Sequence, residues 1–239
     1  PEINSRLEAA GYSKRYKNIL GYTFGTGFGI GMVINGELNR GNNSCVETYC
    51  LPHKHNRDIF VEEGVAIRAV KRIYGREAGV DASNMTPKDI CDIASGLSAG
   101  NQEAARKAFA EFGEVAGDAM ATAVTLTDSL IVIGGGLTGA RQYIMPSLLA
   151  QLRGKLHTID GNEIDRLQMK VFDLDNEHEM NEFIKGDSHP IRVYGTDRYV
   201  NYDPMKRTGV AISRLGASKA ISIGAYAFAL SQIDAAQKG

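Results

Sequence analysis

The chain turns on one short stretch. ILGYTF (Ile19 to Phe24), rich in β-formers, runs into GTGFG (Gly25 to Gly29) and straight on into IGMVI (Ile30 to Ile34). Asn35-Gly36 and ELNR follow, and Asn-Gly between two strand-like runs is the strongest short hairpin signal. The order is therefore strand, glycine loop, strand, turn, strand. A Rossmann or P-loop turn has to lead into a helix, so that a phosphate meets the helix N-terminus, and a P-loop needs Gly-Lys-Ser/Thr. A strand follows here, without that triplet, which disfavours both folds. A glycine turn joining two strands can still hold a phosphate: its N–H groups converge with no side chains in the way, and the Thr26 hydroxyl adds a donor. The spacing is equally that of a tight β-turn with no ligand, and it does not choose between the two.

The rest of the chain alternates helices with a few strands. Val61, Val65, Val70 and Ile73 recur at helix spacing and predict a helix over Asp58 to Arg76. Thr86-Pro87-Lys88-Asp89 predicts a helix start, with Thr as N-cap, Pro in the first turn and Asp three residues on. A longer helix is expected from Gln102 to Thr125, with Ala105, Phe109, Phe112, Ala116, Met120 and Val124 on one stripe. LIVI (Leu130 to Ile133) reads as a strand buried on both faces. Gly134, Gly135 and Gly136 follow it, then a helix from Arg141 to Arg153. That second glycine run sits at the carboxyl end of a strand, where open α/β sheets bind ligands. Three glycines expose flat backbone on which a base or ribose could rest, or simply make a turn that needs positive φ. The stretch 154–207 is polar and irregular, with one strand candidate in LQMKVFDL. GVAIS (Gly209 to Ser213) and an Ala-rich helix from Ala217 to Ala235 complete the pattern.

Composition narrows the function. The 239 residues carry 27 Lys+Arg against 28 Asp+Glu, which argues against a polybasic nucleic-acid or membrane surface. No apolar run reaches the roughly 18–20 residues that cross a bilayer, and the polar first residues lack a signal-peptide core. Three cysteines, Cys45, Cys50 and Cys91, make no disulfide framework, so a reducing cytoplasm is the simpler expectation. Residues 1–18 read as the end of a helix and a polar loop before an abrupt strand. A helix signal without a beginning leads us to expect an inter-lobe linker from a larger protein; a frayed terminal helix gives the same pattern.

Taken in order, these motifs resemble the ROK family of sugar kinases and their repressor relatives. GTGFGIGMVINGELNRG resembles the family's phosphate-binding hairpin, and SLIVIGGGLTGA its adenosine-side motif after the helix EAARKAFAEFGEVAGDAMATAV. SRLGASKAISIGAYAFAL resembles its last strand and helix. The resemblance implies an α/β, actin-like (ribonuclease H-like) ATPase fold, with 19–239 as a C-terminal lobe of mixed sheet flanked by helices and 154–207 as a polar insertion. It implies transfer of phosphate from ATP, with Mg²⁺, to a hexose hydroxyl. Gly25, Thr26, Gly27 and Gly29 would cradle the phosphates, and Gly134, Gly135 and Gly136 would face the adenosine. A homo-oligomer is expected, with nucleic acid as a partner only if a helix-turn-helix lies upstream.

For the sugar, the resemblance implies a Glu shortly after the hairpin, in a Gly-Glu-x-Gly-His context. Glu47 takes that place, although Val46 replaces the Gly and Cys50 stands where the His would be. A carboxylate accepts hydrogen bonds from adjacent hydroxyls; an exposed loop carboxylate is the alternative. A second sugar-binding Glu begins the next helix in the family, and Glu62 is preferred over Glu63 in FVEEGVAIRAV, with His53 or His55 reaching the sugar pocket, or neither. The family's Cys-rich zinc motif is absent, and Cys45, Cys50, His53 and His55 have no spacing that justifies a metal site. The family's catalytic base is an Asp upstream of the hairpin. No Asp precedes Asp58 here, so no catalytic base is expected in this chain. Asp173, Asp175, Glu177 and Glu179 are expected to form a solvated acidic face rather than a metal site.

Overall fold

The computed structural model describes residues 2–12 and 14–238. A helix α1 (Glu2–Ala9) precedes the hairpin of β1 (Ile19–Phe24), β2 (Phe28–Ile34) and β3 (Glu37–Leu38). A small β4–β5 ribbon (Pro52–His53 and Asn56–Phe60) leads into three helices, α2 (Ile67–Ala78), α3 (Pro87–Ala94) and α4 (Gln102–Thr127). Strand β6 (Leu130–Gly134) and helix α5 (Arg141–Leu152) follow, then the ribbon β7–β8 (Lys155–His157 and Glu163–Asp165), β9 (Lys170–Asp173) and α6 (Glu177–Lys185). A hairpin β10–β11 (His189–Arg192 and Tyr199–Tyr202), β12 (Arg207–Ile212) and α7 (Ala217–Lys238) end the chain.

Six strands form the main sheet in the order β3-β2-β1-β6-β12-β9. The β1–β2–β3 side is antiparallel and the β1–β6–β12–β9 side is parallel, so the sheet is mixed, as expected. The Asn35-Gly36 turn has φ of +55° and +87°, the paired left-handed residues that a two-residue hairpin demands. LIVI lies in β6, paired with β1 on one side and β12 on the other, which explains its continuous apolar character.

Side chains alternate across the sheet and divide two cores. Ile131 and Val171 face a large core with Leu20, Tyr22 and Phe24 of β1 and the buried faces of α2 to α5. Their neighbours Leu130 and Phe172 face a smaller core with Leu7 of α1, Tyr16, Met180 and Phe183. The long helix α4 carries the expected stripe and is capped by the Asn101 side chain, which accepts the Ala104 N–H. Helix α3 starts at the predicted capping box: Thr86 accepts the Asp89 N–H, and Asp89 accepts the Thr86 N–H.

Two local expectations change. The helix predicted over Asp58 to Arg76 begins only at Ile67; Asn56–Phe60 is strand, Val61–Glu63 is a 3₁₀ turn, and Ala66 is extended. Val61 and Val65 are fully buried, so their helix-like spacing reflects a turn folded onto the core rather than an early helical turn. Within 154–207, β9 joins the main sheet and α6 builds the second core through Met180 and Phe183. Of the acidic run there, Glu177 is exposed, but Asp173, Asp175 and Glu179 are half-buried. Asp175 accepts the Ile212 N–H, Glu179 accepts the Asp173 N–H and pairs with Arg153, and Arg141 lies near Asp173 and Asp175. These three carboxylates close strand ends and loops.

Candidate active site

Strand β1 sets the geometry. It runs parallel to β6 in a register that puts Thr23 opposite Gly134. The loop Gly25–Gly27 and the run Gly134–Gly136 therefore leave adjacent strands at the same, carboxyl, end of the sheet. Strand β12 ends there too, with the Ser213 N–H on the Ile133 carbonyl. Gly135 is the tight point: its φ is +100°, and a Cβ there would overlap the backbone of Phe24. The second glycine run thus abuts Phe24, the residue immediately before the first.

The hairpin loop is held from one side. Glu62 Oε2 accepts the Phe28 N–H at 2.9 Å, and Arg68 Nη2 donates to Glu62 Oε1 at 2.9 Å. A Cβ on Gly27 would sit 2.6 Å from Glu62 Oε2, so glycine at 27 is what lets the carboxylate approach. Arg68 also donates to the Thr26 carbonyl at 3.3 Å and to Glu63 at 2.8 Å. The Ile67 N–H meets the Gly25 carbonyl at 2.9 Å, which docks the start of α2 on the loop. Partial burial alone would push the Glu62 carboxyl up, but the Phe28 N–H and Arg68 outweigh it and hold the group below its ordinary value. Glu63 is likewise lowered, chiefly by its hydrogen bond from Arg68. Glu62 is thus an ionised acceptor beside the loop, with lone pairs left over after these bonds.

The other sequence-predicted residues sort differently. Glu47 is exposed. The segment that follows it is tied to the Glu62 turn: the Tyr49 carbonyl accepts the Glu62 N–H and the Leu51 carbonyl accepts the Val61 N–H. His53 is 7 % exposed and packs under Gly64, its Nδ1 accepting the His55 N–H. Burial, and then the neighbouring His55, lower its pKa, so it is a neutral imidazole. His55 faces away, toward Glu114 at 3.5 Å. Cys45 and Cys50 are exposed free thiols, and no three His, Cys, Asp or Glu among the described residues are grouped to hold a metal ion. Thr26 is exposed at the loop tip.

Sequence reasoning missed two residues of this region. Arg68 gives no local signal, being one basic residue on the exposed side of an amphipathic helix. Asn18 reads as loop, yet its side chain accepts the Asn35 N–H and donates to the Thr127 carbonyl, joining the hairpin turn to the end of α4.

With this geometry in hand, comparison with known proteins places the chain. It belongs to the ROK family, whose model matches residues 6–167. It is similar to a glucokinase from Parabacteroides distasonis, with 49% identity and a TM-score of 0.87 over 97% of this chain and 63% of that one. The chain thus spans less than two thirds of that glucokinase's length. A putative sugar kinase from Cytophaga hutchinsonii shares the fold at 17% identity, with a TM-score of 0.54 over 91% of this chain and 60% of its own. So does a ROK family glucokinase from Streptomyces griseus in complex with glucose and AMPPNP, at 15% identity and a TM-score of 0.50 over 90% of this chain and 62% of its own. No curated protein matched. The α/β, actin-like fold with a mixed sheet flanked by helices is the one expected from the motifs.

Proposed function

We propose that this chain carries the nucleotide- and sugar-binding part of a glucokinase-like enzyme that phosphorylates a hexose hydroxyl from ATP. The observation that carries the reading is the meeting of both glycine runs and Glu62 at one end of the sheet. The likeness to the Parabacteroides glucokinase supports it, as does the glucose and AMPPNP held by the Streptomyces relative. Gly25, Thr26, Gly27 and Gly29 are assigned to the ATP phosphates and Gly134, Gly135 and Gly136 to the adenosine. Among the described residues, the Thr26 and Gly27 N–H groups meet no protein acceptor, which suits a loop made to receive an anion. Glu62 and Glu47 are assigned to the sugar hydroxyls, with buried His53 supporting the turn that carries Glu62. Phosphoryl transfer depends on positioning and charge neutralisation, and these residues supply the positioning. Mg²⁺, when bound with the nucleotide, would neutralise phosphate charge; no carboxylate of this chain is assigned to it, since Glu62 and Glu63 are both bound to Arg68. No general base is assigned within the chain.

A homo-oligomer and a cytoplasmic location belong to the same proposal. Apolar side chains exposed on α7, among them Ile221 and Tyr226, and three free cysteines support them. No helix among the described residues is long and apolar enough to cross a membrane.

The test is ATP-dependent phosphorylation across a hexose panel, using the product of the complete gene. Gly27→Val should abolish turnover. Sugar binding with no phosphoryl transfer would instead favour a sugar-responsive regulator.

A further inference from the structure

We propose that Arg68 is a positioning residue of the glycine hairpin, fixing which loop N–H groups face the nucleotide. Its functional consequence rests on the kinase reading above; its structural content does not.

The argument is peptide geometry. In a trans peptide the C=O and the following N–H point in opposite directions. Arg68 Nη1 donates to the Thr26 carbonyl at 3.3 Å, so the Gly27 N–H is turned away from the guanidinium. Glu62 takes the Phe28 N–H at 2.9 Å, which turns the Gly27 carbonyl the other way, where it accepts the Gly25 N–H at 3.3 Å. The loop therefore has two occupied donors, at Gly25 and Phe28. Two more, at Thr26 and Gly27, are free of protein acceptors among the described residues.

One guanidinium governs both halves of this arrangement. Its Nη1 holds the carbonyl at 26, while its Nη2 holds, at 2.9 Å, the carboxylate that takes the N–H at 28. Its Nε is anchored on Glu63 at 2.8 Å, and Glu63 is itself braced by Arg72 at 2.9 Å. Three separate donors in a rigid plane are needed, which an arginine fork provides and a lysine point charge does not. The Arg68 side chain is 42% exposed, and exposed ion pairs add little to stability. Removing it therefore perturbs the loop without threatening the fold.

The experiment compares Arg68→Gln and Arg68→Lys with wild type by residue-resolved amide exchange and by steady-state kinetics. In Arg68→Gln, exchange of the Phe28 amide should speed at least tenfold while amides of β6 are unchanged. The kcat/KM for ATP should fall by about 10- to 100-fold, the scale of a displaced catalytic geometry. Arg68→Lys should resemble Arg68→Gln in both. Unchanged Phe28 exchange in Arg68→Gln overturns the proposal whatever the enzyme does. Wild-type behaviour of Arg68→Lys overturns the forked role. Faster Phe28 exchange in a protein whose wild type transfers no phosphate upholds the positioning role and overturns the kinase reading.

Discussion

Replacing Gly135 with alanine should destabilise the protein by roughly 3 kcal/mol, and its two glycine neighbours should not share the effect. Gly135 has φ +100° and ψ 168°, a region essentially restricted to glycine and costing other residues about 1–3 kcal/mol. The added methyl would also overlap the Phe24 backbone. Relief requires moving Phe24, which is 1% exposed and packed edge-to-face on Phe112 with ring centroids 5.0 Å apart. The two penalties together place the substitution at the upper end of that range. For a domain of this size, ~3 kcal/mol lowers Tm by about 6–12 °C. At Gly134 the nearest atoms to a new Cβ are Ser213 Cβ at 3.8 Å and the Tyr22 carbonyl at 3.9 Å, and at Gly136 nothing lies within 4 Å. Alanine at either should change stability by less than about 1 kcal/mol. Urea unfolding of the three single variants, followed by circular dichroism, measures the contrast. Equal losses at 134 and 135, or a Gly135→Ala variant within about 1 kcal/mol of wild type, would refute the close approach of Gly135 to the Phe24 backbone.

Phe112→Ala should cost about 3–5 kcal/mol in the same assay, since a fully buried aromatic leaves a cavity under the hairpin. Thr86→Ala removes the cap of α3 and should cost about 1 kcal/mol. Glu62→Gln gives a pH signature: because the folded-state carboxyl is held low, its ionised form stabilises the protein fully above the ordinary value of 4.5. That contribution is lost as pH falls through the depressed folded value. The stability gap between wild type and Glu62→Gln, measured by denaturation from pH 7 down to pH 3, should be constant above that ordinary value and close below it.

What the sequence disclosed depended on how local each cause is. The Asn35-Gly36 turn, the Thr86 capping box and the double-sided burial of β6 are dictated within a few residues, and all three are found. The start of α2 is not legible in the sequence, because burial of Val61 and Val65 by a turn produces the same spacing as burial by a helix. Strand β9 lies in a polar stretch because it is a sheet edge, with only Val171 and Phe172 fully buried. At the candidate site, the two glycine runs stand out in the sequence itself, whereas Glu62 enters only through the family resemblance. The packing of His53 under Gly64 and the grip of Arg68 on the Thr26 carbonyl depend on residues 11 and 42 positions away, which no local pattern encodes.

The level pairing of Thr23 with Gly134 makes the two central strands a ruler. Each strand residue advances about 3.3 Å, and a one-residue slip also turns every side chain to the opposite face. Adding or deleting a single residue in β1 would raise or lower the hairpin against the second glycine run by that step, and would exchange Leu20, Tyr22 and Phe24 for their outward neighbours. Length changes are therefore barred from both strands and admissible only in connections such as the β7–β8 and β10–β11 hairpins. The distance between the two loops is a quantity counted in residues.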